Sequence, residues 1–392
     1  MKRFLYVFLS ICAGFALFLP VSFSQGGALS DQPREEFATA KVIALPDEDV
    51  TMDFGVSITT QHVRLQIISG KEAGKVLDID NGVLEDRDDM RLALGEVVVL
   101  DKTYKSDGSV LYLVKEKYRL PSIVWLTIIF VAITVFFGRL TGLTSILGLA
   151  ASVLILVLFV IPRIVAGDDP LIICLVGAVA IACSSLFLAH GFNKRTSVAL
   201  LSTVVTLGIA AIAALISVYA AGLFGMGSEE SMFLQSGLLQ NIDLRGLLLG
   251  GMIIGCLGVL DDITTAQCAA IEEISKANPM LSVEQLRKAG FSVGREHIAS
   301  LINTLALAYV GASLPLLLLF KTQDTYPLWV TLNGEFLAEE IIRTLVGSVT
   351  LVFAVPVSIF FAVSFLKVKP GTPGTSANSL SSSRHSHSHG HH

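Results

Sequence analysis

Two adjacent aspartates, Asp261 and Asp262, end an apolar run that begins at Gly246 and is followed by Ile263, Thr264, Thr265, Ala266 and Gln267. An ionised carboxylate inside a bilayer is costly unless it is paired, hydrated or bound to an ion. A second carboxylate beside it disfavours the charge further. A helix starting near Leu244 carries Asp261 about 25 Å along its axis, against a hydrocarbon core about 30 Å thick. Asp261 and Thr265 are four residues apart and Asp262 and Thr265 three, so the Thr265 hydroxyl is a neighbour that both carboxylates can share. Asn303, in a later apolar run, is a candidate to bond across helices to the same carboxylates. The chemistry these types suit is reversible protonation, or the binding of a cation, in a crevice between helices. A plainer alternative stays open, in which Asp261-Asp262 caps the span and an interfacial amphipathic helix follows.

Other polar groups have simpler readings. Glu272 and Glu273 follow the run and face solvent, and Glu296 and His297 open the next apolar segment at an interface. Glu339 and Glu340, four and three residues before Arg343, read as charge pairing at a helix start. His190 ends an earlier span and has no evident partner.

The elements that must hold these groups are apolar helices. The chain has 392 residues, 53% hydrophobic and 16% charged. Soluble domains carry about 25% charge, so this one lacks the surface to stay in water. Its apolar residues fall in blocks of bilayer-crossing length, at about 121–138, 142–161, 170–190, 197–224, 246–269, 298–320 and 342–366. The fold class expected is an all-α polytopic transmembrane bundle of about seven spans, residues 120–367, with a small extracytoplasmic β-rich domain. With that domain outside, ten basic residues face inward: Arg139, Lys194, Arg195, Lys276, Arg287, Lys288, Arg295, Lys367, Lys369 and Arg384. Four face outward: Arg163, Arg245, Lys321 and Arg343. This bias orients the bundle with its C-terminus in the cytoplasm.

Lys2 and Arg3 precede an apolar run from Phe4 to Phe23, with Pro20, Ser22 and Ser24 near its end. Residues 1–24 are therefore expected to be a signal peptide or an N-terminal anchor. Residues 35–119 form the β-rich domain, with strands expected at Phe37–Val42, Val56–Ile68, Glu96–Leu100 and Leu111–Val114. Ser106, Asp107 and Gly108 mark a hairpin. Asp78, Asp80, Glu85, Asp86, Asp88 and Asp89 lack calcium-loop spacing and read as a solvated loop. The tail 368–392, rich in serine and ending in His385, His387, His389, His391 and His392, reads as disordered and cytoplasmic, able to bind metal ions only weakly. The five cysteines lie in apolar stretches with no zinc spacing. No cofactor is expected.

Three stretches carry a resemblance: Gly258-Val-Leu-Asp-Asp-Ile-Thr-Thr-Ala-Gln267, Gly294-Arg-Glu-His-Ile-Ala-Ser-Leu-Ile-Asn-Thr-Leu-Ala-Leu-Ala-Tyr-Val-Gly-Ala-Ser-Leu-Pro315 and Leu337-Ala-Glu-Glu-Ile-Ile-Arg-Thr-Leu-Val-Gly-Ser348. They resemble the YibE/F family of bacterial multi-spanning membrane proteins, over roughly residues 120 to 367. The resemblance implies a bacterial cell-membrane protein, presumed to transport, with no defined biochemical activity. It marks Gly258, Asp261, Asp262, Thr265 and Gln267 without giving them a role. Cys256 and Cys268 stand where other small residues would serve.

The function expected is membrane transport, proton- or cation-coupled, with an unnamed small-molecule substrate. The alternative is an accessory membrane protein whose outer domain binds a protein partner. An enzyme is not expected, for there is no His-Glu-x-x-His motif and no phosphate-binding loop. Adjacent aspartates on a helix also point about 100° apart, a poor arrangement for sharing one catalytic water. Partners are the lipid bilayer and the transported species. Nucleic acid is excluded, since no basic stripe with interleaved aromatics occurs.

Overall fold

The computed structural model describes residues 36–367, apart from 54–55, 71, 85–90, 105–108, 238–240, 316 and 319–326. The N-terminal signal or anchor segment, the Ser106–Gly108 hairpin tip, Glu85–Asp89 and the His-rich tail lie outside the described residues. Two compact units divide near Gly138.

The first unit opens on a curled antiparallel sheet of six strands: β1 (Glu36–Ala44), β2 (Glu48–Asp53), β3 (Val56–Ile67), β4 (Val76–Leu84), β5 (Val97–Tyr104) and β6 (Val110–Lys117). β3 pairs with β4 along one side, and with β2 and then β1 along the other. β5 continues the sheet from β1, and β6 from β5. Alternation sets the faces, so Ala40, Val42, Val63, Leu65, Val98 and Leu100 are buried together. Buried Gln61 ties in the chain beyond β4. Its amide nitrogen donates to Glu48 Oε1 at 2.8 Å, and its amide oxygen accepts from Leu92 N at 2.8 Å.

β2 and β4 are strands the sequence pattern does not signal, because their exposed faces are acidic. Asp78 and Asp80 do not sit in a loop. They stand on β4 opposite Arg64 and His62 of β3. Arg64 Nε donates to Asp78 Oδ1 at 2.7 Å, and the bond holds the Asp78 carboxyl below its usual range. His62 bridges Asp49 Oδ2 at 3.1 Å and Asp80 Oδ1 at 2.6 Å.

The rest of the described chain is helical: α1 (Leu120–Val165), α2 (Pro170–His190), α3 (Lys194–Ala220), α4 (Glu229–Ser236), α5 (Leu244–Ala277), α6 (Val283–Ala312), α7 (Leu328–Asn333) and α8 (Glu335–Leu366). Five of them, α1, α2, α3, α5 and α8, are long and apolar enough to cross a membrane, which is compatible with a multi-pass membrane protein. The sequence reading expects seven. Its first two spans both fall in α1, 46 residues long, which breaks at Arg139 with φ 51° and ψ −132°. A side chain rarely adopts that backbone, and the two halves meet there. Near its far end, α1 loosens into a π-turn at Leu156–Val160. Pro162 follows, with no N–H to continue the regular ladder. The expected sixth span, 298–320, coincides with the second half of α6 and runs on into residues outside the description. The first half of α6 carries Glu284, Arg287, Lys288, Arg295 and Glu296, so the helix as a whole is amphipathic.

In the second unit α5 is the centre, packed against α2, α3, α6 and α8. Glycine sets how closely. A Cβ on Gly250 would lie 2.5 Å from Cys174 Sγ and 3.2 Å from the Pro170 carbonyl, so α2 rides directly on the α5 backbone there. Gly246 meets Pro170 as well, at 3.3 Å. The second spaced pair behaves otherwise, since Gly251 faces open space and Gly255 touches only the Tyr309 hydroxyl, at 3.1 Å. On α6, Gly290 and Gly294 admit Ile271 and Val355, each 2.4 Å from where a Cβ would stand.

Two measurements check this account. Gly250→Ala should lower the unfolding free energy by about 1–3 kcal/mol through overpacking. Gly258→Ala, whose added methyl meets nothing within 4 Å, should be neutral or slightly stabilising in the same thermal-unfolding series. Equal effects would mean that α2 does not rest on α5. In the sheet, bonds to Asp49 and then Asp80 raise the His62 pKa above its ordinary 6.5. Its contribution to stability is therefore complete below pH 6.5 and fades as pH rises through the higher folded value. Imidazole resonances of the full-length protein should titrate above 6.5, and Asp80→Asn should move the midpoint down.

Candidate functional site

α5 runs without interruption through Asp261 and Asp262 to Ala277. The aspartates therefore do not cap a span, and the capping alternative falls. Arg245 and Glu272 bound the apolar stretch of the helix. At 1.5 Å per residue Asp261 lies about 24 Å from the first and 16 Å from the second. Glu272 itself meets Arg195 of α3 at 3.5 Å and Lys276 at 3.1 Å.

Asp261 is turned toward α2 and α3. Ser185 Oγ of α2 donates to Asp261 Oδ2 at 3.1 Å. Asp261 Oδ1 is shielded from solvent and has no hydrogen-bond partner among the described residues. One turn on, the Thr265 hydroxyl is also buried and unpartnered. It bonds neither carboxylate, contrary to the shared neighbourhood that spacing suggests. Its neighbour Thr264 makes the cross-helix bond instead, hydroxyl to hydroxyl with Thr203 of α3 at 2.8 Å. Ser202, Thr203, Thr206 and Thr264 are all fully buried, so a polar seam runs between α3 and α5 beside Asp261. Ser202 and Thr206 keep their hydroxyls satisfied on carbonyls of their own helix.

The remaining expected residues separate. Asp262, about 100° round the helix, is exposed on the bundle surface within electrostatic reach of His190. Gln267 is fully buried but serves α6, its Nε2 donating to the Gly290 carbonyl at 2.8 Å. Its Oε1 is left without a partner. Gly294 gives it room, since a Cβ there would lie 3.4 Å from that oxygen. Gln267 is thus a cross-helix fastening. Asn303 is exposed, and no hydrogen bond joins it to either aspartate. Thr304 beside it bonds back to the Ser300 carbonyl at 3.0 Å. Of the five expected residues, the structure gathers Asp261 and Thr265 on one face, with Ser185 and the Thr203–Thr264 pair nearby. Ser185 and Thr203 escape a reading of α5 alone, although the run Ser202, Thr203, Thr206 inside an apolar span is a visible signal.

A second polar locus lies at the N-terminal end of α5. The turn after α3 exposes backbone N–H groups, and α8 supplies carboxylates to them. Glu335 Oε1 accepts from Phe224 N at 2.7 Å and Met226 N at 3.3 Å. Glu339 Oε1 accepts from Gly227 N at 2.9 Å. Among the described residues Arg343 therefore forms its ion pair with Glu340, at 3.1 Å, rather than with both glutamates as their spacing suggests. Arg245 donates to the Leu223 carbonyl at 2.8 Å and stacks 4.8 Å from the centroids of Tyr219 and Phe224.

No group of three or more histidine, cysteine or carboxylate side chains able to hold a metal ion occurs among the described residues. The described cysteines are free thiols, three of them buried.

Neither a curated protein nor a solved structure matches the chain. A family model described as YibE/F-like protein matches residues 126–368, which takes in every helix from α2 to α8 and most of α1. The chain belongs to the YibE/F-like family.

Proposed function

We propose that this chain is a membrane permease whose transport cycle turns on protonation, or cation binding, at Asp261. The observation that carries the reading is the pair of unsatisfied buried oxygens, Asp261 Oδ1 and Thr265 Oγ1, one turn apart on the central helix. A buried acceptor without a donor is costly, and a proton or a small cation would satisfy it. The hard oxygen donors Asp261, Ser185 and Thr265 suit protons and alkali cations better than thiolate-seeking metals.

In this reading the two halves of α1, then α2, α3, α5, α6 and α8 make seven crossings of the bacterial cell membrane. The curled sheet lies outside and the C-terminus in the cytoplasm, in keeping with the inward bias of basic residues. The N-terminal end of α5 then faces outward. Asp261 sits toward the inner half of the bilayer.

The test reconstitutes the full-length chain in liposomes under an imposed pH gradient. A panel of labelled small solutes is screened for accumulation. Asp261→Asn keeps an oxygen for the Ser185 hydroxyl but cannot release a proton, so gradient-driven accumulation should fall roughly tenfold or more. Asp262→Asn, on the outer face of the helix, should retain most of it. Wild-type accumulation in Asp261→Asn sinks the coupling role, and no gradient-driven solute at all sinks the permease.

A further inference from the structure

Between α4, the Gly225–Ser228 turn, α5 and α8 lies a cavity of about 380 Å³, within the range of small-ligand sites. It is separate from the Asp261 seam, as Gly251 on its wall stands about 15 Å up α5 from Asp261. Its walls combine four charged groups with two leucines. Glu230, Glu339, Glu340 and Arg343 line it, with Leu247 and Leu248 beside them.

The charges do not cancel. Arg343 is taken up by Glu340, at 3.1 Å. Glu339 is only 4% exposed, and among the described residues it accepts from the neutral Gly227 N–H. No basic side chain among the described residues lies within ion-pair distance of Glu339 or Glu230. Three carboxylates thus share one guanidinium, and a buried carboxylate with only a shared counter-charge is satisfied by a proton or by a bound cation. A bare metal ion is a poor fit, because no cluster of three or more ligating side chains forms among the described residues. An ammonium group on a carbon chain fits both halves of the lining, its charge on Glu339 and its methylenes on Leu247 and Leu248. Arg343 adds a second feature, for its buried Nε–H has no acceptor and can receive an acceptor atom of the same molecule.

We infer that this cavity binds a small primary amine through Glu339, and that such amines are the substrate class the protein admits from the α5 N-terminal side. The substrate role rests on the permease reading; the binding does not.

Two substitutions isolate the site without dismantling it. Glu339→Gln removes the charge while its amide oxygen still accepts from Gly227 N. Gly251→Leu projects a side chain into the cavity from a position where a Cβ meets nothing within 4 Å. Binding of 4-aminobutan-1-ol, whose hydroxyl supplies the acceptor for Arg343 Nε–H, to the purified full-length protein in detergent is measured by calorimetry, with succinate as the anionic control. The wild type should bind the amino alcohol and not succinate. Glu339→Gln should bind it about tenfold or more weakly, as loss of a charge-assisted hydrogen bond requires. Gly251→Leu should bind it similarly weakly, with both variants unfolding near the wild-type temperature. Absence of amino-alcohol binding, succinate binding as tight, or unchanged affinity in both folded variants overturns the inference. The assay uses no gradient and no vesicle, so it stands or falls apart from the role of Asp261.

Discussion

A carboxylate on the most buried helix of an apolar bundle must be satisfied by its neighbours, and much of the second unit is shaped by that demand. Asp261 stands on α5, which four other helices enclose. Ser185 meets one of its oxygens, and the Thr203–Thr264 pair brings α3 close at the same level. Such hydroxyl contacts between apolar helices contribute about 0.6–2 kcal/mol each, less than removing a charge from water costs. The balance is left open at Asp261 Oδ1 and Thr265 Oγ1. A buried aspartate with a purely structural role would be expected to have both oxygens met.

Close packing makes this arrangement possible. Gly246 and Gly250 let α2 lie on the α5 backbone, which brings Ser185 to Asp261, about three turns beyond Gly250. Gln267 with Gly290 and Gly294 fastens α6 to the other side. The two fixings leave Gly251 and Gly258 facing open space, with the Tyr309 hydroxyl of α6 seated between them at Gly255. The chain thus holds one edge of its central helix firmly and the other loosely. A polar cavity has formed on the loose edge.

Much of this is legible in the sequence, and where it is not the reasons are physical. Strands β1, β3, β5 and β6 follow from alternation of apolar residues. β2 and β4 do not, because Asp49, Asp78 and Asp80 occupy outward positions and make acidic strands look like loops. Their partners, His62 and Arg64, are only brought opposite them by register. The helices follow from apolar length, but a break at Arg139 within one helix and the charged first half of α6 blur a count of spans. At the site, residue type and depth single out Asp261. Periodicity of 100° per residue could already have separated it from Asp262 and Gln267, which lie on other faces. Asn303 fails as a partner because one helix's rotation relative to another is not written in either segment. The same holds for Ser185, Glu339 and Gly227, whose roles arise from contacts between segments far apart in the chain.

The two polar loci share one feature that matters for the proposed permease: both are built on α5. The cavity wall at Gly251 and the carboxylate at Asp261 are ten residues apart on an uninterrupted helix. A rigid helix transmits a shift along its axis, so whatever moves α5 at one locus moves it at the other. Protonating Asp261 would remove the charge that favours contact with Ser185 and the hydroxyl seam of α3, and so alter how α5 seats against α2 and α3. Filling the cavity would load the opposite side, between α5 and α8. Coupling between such sites needs only that the two positions of α5 differ in how well each ligand is held. The tight glycine contacts on the α2 side and the open ones around Gly251 are the asymmetry along which α5 has room to move.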